Sequence, residues 1–209
     1  MINKFKYPRT FHVPYSLGAT SDDKMLQTLS HFDGKEVVVT EKYDGENTTL
    51  YSDYYHARSI DGRHHPSRDW VKQFWGSIRH DIPGEWRICG ENMYARHSIP
   101  YENLESFFLG FSVWDGKNVC MSWDDTITTF SLIGITPVRV LYRGVFDLDK
   151  IKQLWTPNDY DTMEGYVIRL QQSFEYDQFK NSVAKFVRKG HVTAADHWMH
   201  QQIVPNKMK

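Results

Sequence analysis

Glu41-Lys42-Tyr43-Asp44-Gly45-Glu46-Asn47 places a lysine at the end of one apolar run and a polar stretch at the start of another. Val37-Val-Val-Thr-Glu precedes it and Thr48-Thr-Leu-Tyr follows, both rich in β-branched and aromatic residues. Such runs favour strands, and the Asp-Gly pair between them favours a tight connection. Two readings of the loop stand open at this point. In one, Lys42 is a nucleophile. At a reference pKa of about 10.4, roughly 1 in 2,500 lysines is neutral at pH 7, a cost of about 4.6 kcal/mol. Burial, nearby cations or a bound metal would have to favour the free amine. In the other reading, the segment is a hairpin with a surface Lys/Asp pair.

Working outward, Val71, Phe74, Trp75 and Ile78 recur at helical spacing behind Ser67 as an N-cap, and Pro83-Gly84 stops the run. Strand-like runs follow at residues 86–89, 107–114, 137–142, 165–170 and 183–188. Helical stretches interrupt them near 122–133, with Gly134 as a stop, near 147–155, and near 193–202 after Thr193. Strands come in clusters and do not alternate strictly with helices, so the expected class is α+β with mainly antiparallel sheets. Neither GxGxxG nor GxxxxGK[ST] occurs, which leaves Rossmann and P-loop sites without their usual signatures.

The 209 residues are 40% hydrophobic and 24% charged, the balance of a folded chain, and no Gly/Ser/Pro linker divides them; one domain over 1–209 is expected. Two cysteines, Cys89 and Cys120, exclude a disulfide framework and a four-cysteine zinc site. No run reaches the ~20 apolar residues of a membrane span, and a reduced cytoplasmic setting is expected. A net charge of −1 gives no global pull on nucleic acid, so any such binding must rest on a local patch. Arg58, Arg63, His64, His65 and Arg68 are either that patch or a plain polar loop.

Further motifs follow the lysine in a fixed order: Gly90-Glu91-Asn92 after a strand, Phe108-Leu-Gly-Phe111 opening an aromatic one, Glu164-Gly165 before another, and Lys185-Phe-Val-Arg188-Lys189 on a basic one. Together they resemble the nucleotidyltransferase motifs of covalent polynucleotide ligases from residue 42 to residue 189. Asn47 makes the first motif KxxGxN, similar to the RNA ligase 2-like branch. The resemblance implies an ATP-grasp-like nucleotidyltransferase fold and an ATP-dependent RNA ligase joining 5′-phosphate and 3′-hydroxyl ends, with Mg²⁺ or Mn²⁺.

It also implies roles. Lys42, flanked by Glu41 in the nucleotide site, would attack the α-phosphorus of ATP and carry AMP. Arg58 would contact ribose or phosphate, Glu91 would hold the ribose, and Phe111 would stack on adenine. Glu164 would bind the divalent metal, with Asn47 orienting a metal-bound water or the phosphate. Lys185, and with it Lys189, would contact phosphate. These residue types suit the chemistry, since phosphoryl transfer needs alignment and charge neutralisation, hard cations take oxygen ligands, and stacking on an aromatic contributes about 1–3 kcal/mol per base.

The chain departs from the pattern in two places. Val187 stands where the last motif usually has a second lysine, and Ser112 stands where an acid is common. Only 20 residues follow Lys189, too few for an OB-fold or a separate RNA-binding domain, so a protein partner supplying an RNA surface is one expectation. Ligation of DNA or end adenylation by the same fold, and a non-catalytic nucleic-acid-binding module, are the alternatives.

Overall fold

The computed structural model describes residues 3–60, 64–190 and 202–209. In chain order its elements are β1 (Phe11–His12), β2 (Glu36–Lys42), β3 (Glu46–Leu50), β4 (Tyr55–Ala57), α1 (Asp69–Ile78), β5 (Arg87–Asn92), β6 (Phe108–Trp114), β7 (Val119–Cys120), α2 (Trp123–Ile133), β8 (Thr136–Pro137), β9 (Val140–Val145), α3 (Leu148–Lys152), β10 (Gly165–Leu170), β11 (Phe174–Glu175) and β12 (Val183–Val187). They form two sheets. The first runs β1-β12-β10-β2-β9; the second runs β11-β7-β6-β5-β3-β4, with β8 paired to β6. Among the strands of the described residues, only the pairs β1 with β12 and β8 with β6 are parallel, so the antiparallel α+β expectation holds.

The central strand β2 explains the layering. Val37 and Val39 enter a core with Tyr166, Ile168, Ala184 and Phe186, closed from outside by Leu26, Phe32 and Ile151. Val38, on the other face, joins Met93, Leu109 and Trp123 between the sheets. All three valines are fully buried, each contributing about 1.5–3 kcal/mol through removal from water. A strand covered on both faces reads as a continuous apolar run, as this one does. On the second sheet, α1 and α2 pack Val71, Ile78 and Phe130 against Phe108 and Val113.

Two expectations change here. β2 and β3 are not a hairpin: β2 pairs with β10 and β9, whereas β3 pairs with β4 and β5. Residues 43–45 therefore carry the chain from one sheet to the other. The run at 137–142 likewise splits, with β8 in the second sheet and β9 in the first. The helix behind Ser67 begins later than its cap residue implied. A 3₁₀ turn at Pro66–Arg68, capped by the His65 ring accepting from the Ser67 amide, leads into α1. α2 matches its expected span, with Ser122 as N-cap and Gly134 in the left-handed conformation as stop. The helix expected at 193–202 lies largely outside the described residues.

The tail 202–209 runs along residues 93–105. Asn206 is buried, donating through its side chain to Met93 O at 2.7 Å and accepting from the Tyr101 amide at 3.0 Å. Backbone bonds from Lys207 to Tyr101 and from Lys209 to Leu104 continue the strap.

Gly165 fixes the approach of β10 to β12. A Cβ there would lie 2.0 Å from Phe186 O, so any side chain must push the strands apart. Gly165→Ala is expected to cost more than about 2 kcal/mol of unfolding free energy in urea titrations, the scale of overpacking in a closed site.

Candidate active site

The β2–β3 crossing lines one wall of a cavity of about 410 Å³ between the two sheets. Lys42, on the same face of β2 as Val38 and Thr40, points into it, and its Nζ donates to Glu164 Oε2 at 2.6 Å. Glu164 precedes β10, whose first residue pairs with Lys42, so the two side chains meet at one strand end. Its carboxylate is 4% exposed against 24% for the lysine, which places the pair at the cavity floor.

The turn between the sheets is held by distant backbone. Asp44 accepts from the amides of Ser98 and Ile99 at 2.8 and 3.2 Å and from the Ser98 hydroxyl, while its own amide donates to the Tyr101 hydroxyl at 3.1 Å. Gly45 has no room for a side chain, since a Cβ would sit 2.6 Å from Asn92 O and 2.7 Å from Met93 Sδ. That close approach brings the crossing against β5, which carries Glu91, and the Gly45 amide donates to the Glu91 carboxylate. Asn47, opposite Glu91 in the β3–β5 ladder, keeps a buried Oδ1 with no hydrogen-bond partner.

Phe111 owes its position to a bulge. Cys89 pairs with Ser112 and Gly90 with Gly110, so Phe111 is the extra residue of β6, and the bulge turns its ring into the cavity. Val167 of β10 faces the same space from the first sheet. Lys185, opposite Val167, and Arg58 also line the cavity.

The electrostatics follow from crowding charges under a low-dielectric roof. Burial alone would lower the Lys42 pKa, but Glu164 and then Glu91 carry it above the usual lysine range. The protein's own groups therefore keep Lys42 protonated, contrary to the free amine that a nucleophile needs. Burial pushes Glu91 up to about 8, partly offset by Lys42, while the Glu164 and Asp44 charges add to the rise. Burial likewise lowers Lys185 to about 8, aided by Lys42 and Arg58 against Asp23 and Glu164.

The structure thus brings together Lys42, Asn47, Arg58, Glu91, Phe111, Glu164 and Lys185. Glu41 also borders the cavity, but its carboxylate pairs with Arg139 Nε at 2.9 Å. Lys189 does not line it and is exposed beyond β12. The proposed phosphate track is largely committed elsewhere: Arg68 makes a two-pronged pair with Glu46, with Nε to Oε2 at 2.8 Å, and His64 meets Asp69 at 3.0 Å. Arg63 lies outside the described residues. Sequence reasoning missed Tyr7, Arg9 and Asp23, which reach the cavity from a segment without any motif.

A hard cation fits this donor set. Glu164, Glu91 and the unpartnered Asn47 oxygen are oxygen ligands, and Mg²⁺-type ions take one or two carboxylates plus substrate phosphates in place of a full protein cage. Among the described residues no group of three or more His, Cys, Asp or Glu forms such a cage.

The sequence matches the RNA ligase family across residues 35–187, most of the chain and every motif above except the Arg188-Lys189 end of the last. The chain belongs to the RNA ligase family. Among solved structures, an archaeal ATP-dependent RNA ligase matches with a TM-score of 0.60 at 16% identity, covering 88% of this chain and 48% of that one. A Naegleria gruberi RNA ligase variant with ATP and Mn matches with 0.55 at 14%, covering 88% and 58%. An Aquifex aeolicus protein assigned as an ATP-dependent DNA ligase matches with 0.59 at 18%, covering 88% and 50%. At these identities the likeness shows the nucleotidyltransferase fold, and this RNA ligase family member spans about half the length of those chains. No curated protein matches it. No helix among the described residues is long and apolar enough to cross a membrane.

The Glu91 shift has a sign that can be tested. Its folded pKa, about 8, lies above the ordinary 4.5, so between these values the folded state holds a proton that the unfolded chain has lost. Stability contributed by this group therefore falls as pH rises through that window. Glu91→Gln is expected to flatten the decline in urea midpoint between pH 5 and pH 8; an unchanged slope would show that the proton is held elsewhere.

Proposed function

We propose that residues 1–209 are the adenylyltransferase unit of an ATP-dependent RNA ligase and that Lys42 carries AMP. The observation that carries this reading is the convergence of Lys42, Glu91, Glu164 and Lys185 on one cavity whose inner walls are Phe111 and Val167. Such a space offers an apolar slot for a flat base, a carboxylate for ribose hydroxyls, and cations for phosphate.

In the first step the Lys42 ammonium loses its proton to solvent water, and the Nζ lone pair bonds to the α-phosphorus. The bond from that phosphorus to the bridging oxygen breaks, and pyrophosphate leaves with the electron pair. Lys42 must be uncharged to do this, and the Glu164 carboxylate that accepts from it at 2.6 Å is also the candidate cation ligand. A divalent cation would be held by Glu164 with Asn47 and would supply charge neutralisation for the phosphates. Lys185 and Arg58 add fixed positive charge where pyrophosphate departs. AMP then passes to an RNA 5′-phosphate, and a 3′-hydroxyl displaces it to seal the strand. A protein partner or further chain is the natural source of additional RNA contacts. The family match favours RNA; nicked DNA is the second substrate to test because a DNA ligase assignment shares this fold.

Incubation with α-labelled ATP and Mg²⁺ or Mn²⁺ is expected to label the protein covalently. Lys42→Ala should lose all label, and Glu164→Ala or Lys185→Ala should slow it by about a hundredfold or more, the range for removing one preorganised charge contact. Label retained by Lys42→Ala would reject the assignment. The labelled protein should then transfer AMP to 5′-phosphorylated RNA and not to 5′-hydroxyl RNA.

A further inference from the structure

Resting on that reading, the position of the nucleotide base can be followed from the strand registers. Lys42 lies in a row with Gly165 and Val187; Thr40, Val167 and Lys185 form the next row, and Val38, Arg169 and Val183 the one after. Rows two residues apart are separated by about 7 Å. With the α-phosphorus at Lys42 and the ribose at Glu91, the base extends past Val167 and Phe111 toward the inner end. Tyr7, Ser112, Cys120 and Arg169 line that end.

The polar groups there are mostly spent. Arg169 donates to the carbonyls of Met121, Leu170 and Phe111 at 2.7, 3.1 and 3.4 Å. Ser112 Oγ accepts from Trp114 Nε1 at 3.1 Å and is hydrogen-bonded to the Cys89 thiol. The Tyr7 hydroxyl, in contrast, has no hydrogen-bond partner among the described residues.

Its ring is held firmly. It meets Phe111 edge-on at 5.1 Å and Phe179 at 5.2 Å between centroids. Pro8 confines the Tyr7 backbone to extended conformations. On one side, Lys6 O accepts from the Tyr176 hydroxyl at 2.9 Å; on the other, β1 pairs with β12 at His12 and Lys185. A phenol fixed against the stacking ring, with its one polar atom unspent, is a reader and not only a wall. Tyr7 lies outside residues 35–187, so the family match assigns it nothing.

We propose that the Tyr7 hydroxyl hydrogen-bonds the edge of the purine base and sets nucleotide affinity at this site. Burial raises its pKa well above the usual phenol range, the Cys120 and Cys89 thiols adding to the effect, so it remains a neutral donor at working pH.

The test is Tyr7→Phe, which keeps the ring contacts, measured by steady-state labelling with ATP, with 1-, 3- and 7-deaza-ATP, and with the analogue lacking the 6-amino group. One neutral hydrogen bond corresponds to about five- to tenfold in affinity. Tyr7→Phe is expected to raise the KM for ATP by that factor while the saturated labelling rate stays within about twofold. In the wild type one of the four analogues should raise KM by a similar factor, and Tyr7→Phe should be indifferent to that analogue alone. An unchanged KM in Tyr7→Phe, or additive losses with all four analogues, overturns the proposal. A wild-type protein that treats all four analogues like ATP overturns it without recourse to the variant. Failure of the wild type to label with ATP at all would instead remove the adenylyl-transfer reading.

Discussion

A lysine and a glutamate 2.6 Å apart at the bottom of a cleft set the terms for the rest of the molecule. Withdrawing opposite charges from water costs several kcal/mol per ion, and their attraction repays this only with good geometry and further partners. Here the strand ends supply the geometry, because Lys42 closes β2 where Gly165 opens β10. The partners are more charges. Glu91 adds a second carboxylate and Lys185 a second ammonium, and burial pushes both toward their neutral forms. The cleft therefore contains more ionisable groups than it can comfortably charge at once, a condition that an anionic ligand and a cation relieve together.

That same arrangement qualifies the reactivity first expected of Lys42. Burial does act on it, as an activated amine requires, yet the carboxylates outweigh it. The protein alone favours ammonium. The cleft by itself thus holds Lys42 protonated, and on the proposed reading activation would belong to the loaded site.

Much of the fold was legible because burial leaves a strong local trace. β10 carries its expected bounds, 165–170, and α2 ends at Gly134, where the left-handed turn calls for glycine. What a local pattern does not encode is which sheet receives a strand. Residues 37–41 and 48–51 have the composition of a hairpin, and 137–142 has that of one strand, yet in both cases the chain changes sheets. The ordered motifs led to one cavity, since Lys42, Glu91, Phe111, Glu164 and Lys185 all line it. Lys189 followed from spacing alone, and the turn after β12 leaves it exposed. Tyr7 and the Ser98–Ile99 grip on Asp44 left no such trace, because a wall or a backbone donor can be provided by nearly any sequence that reaches the right place.

The path of the last eight residues bears on how the molecule should be handled. None of them borders the cleft, and a map of its lining would mark them as dispensable. Yet Asn206 fastens Met93 and Tyr101, Tyr101 in turn holds the amide of Asp44, and Asp44 sits two positions from Lys42. Trimming the gene at residue 201 for convenience would slacken the bench on which the Lys42 amine rests, while every residue of the ordered motifs remained in place.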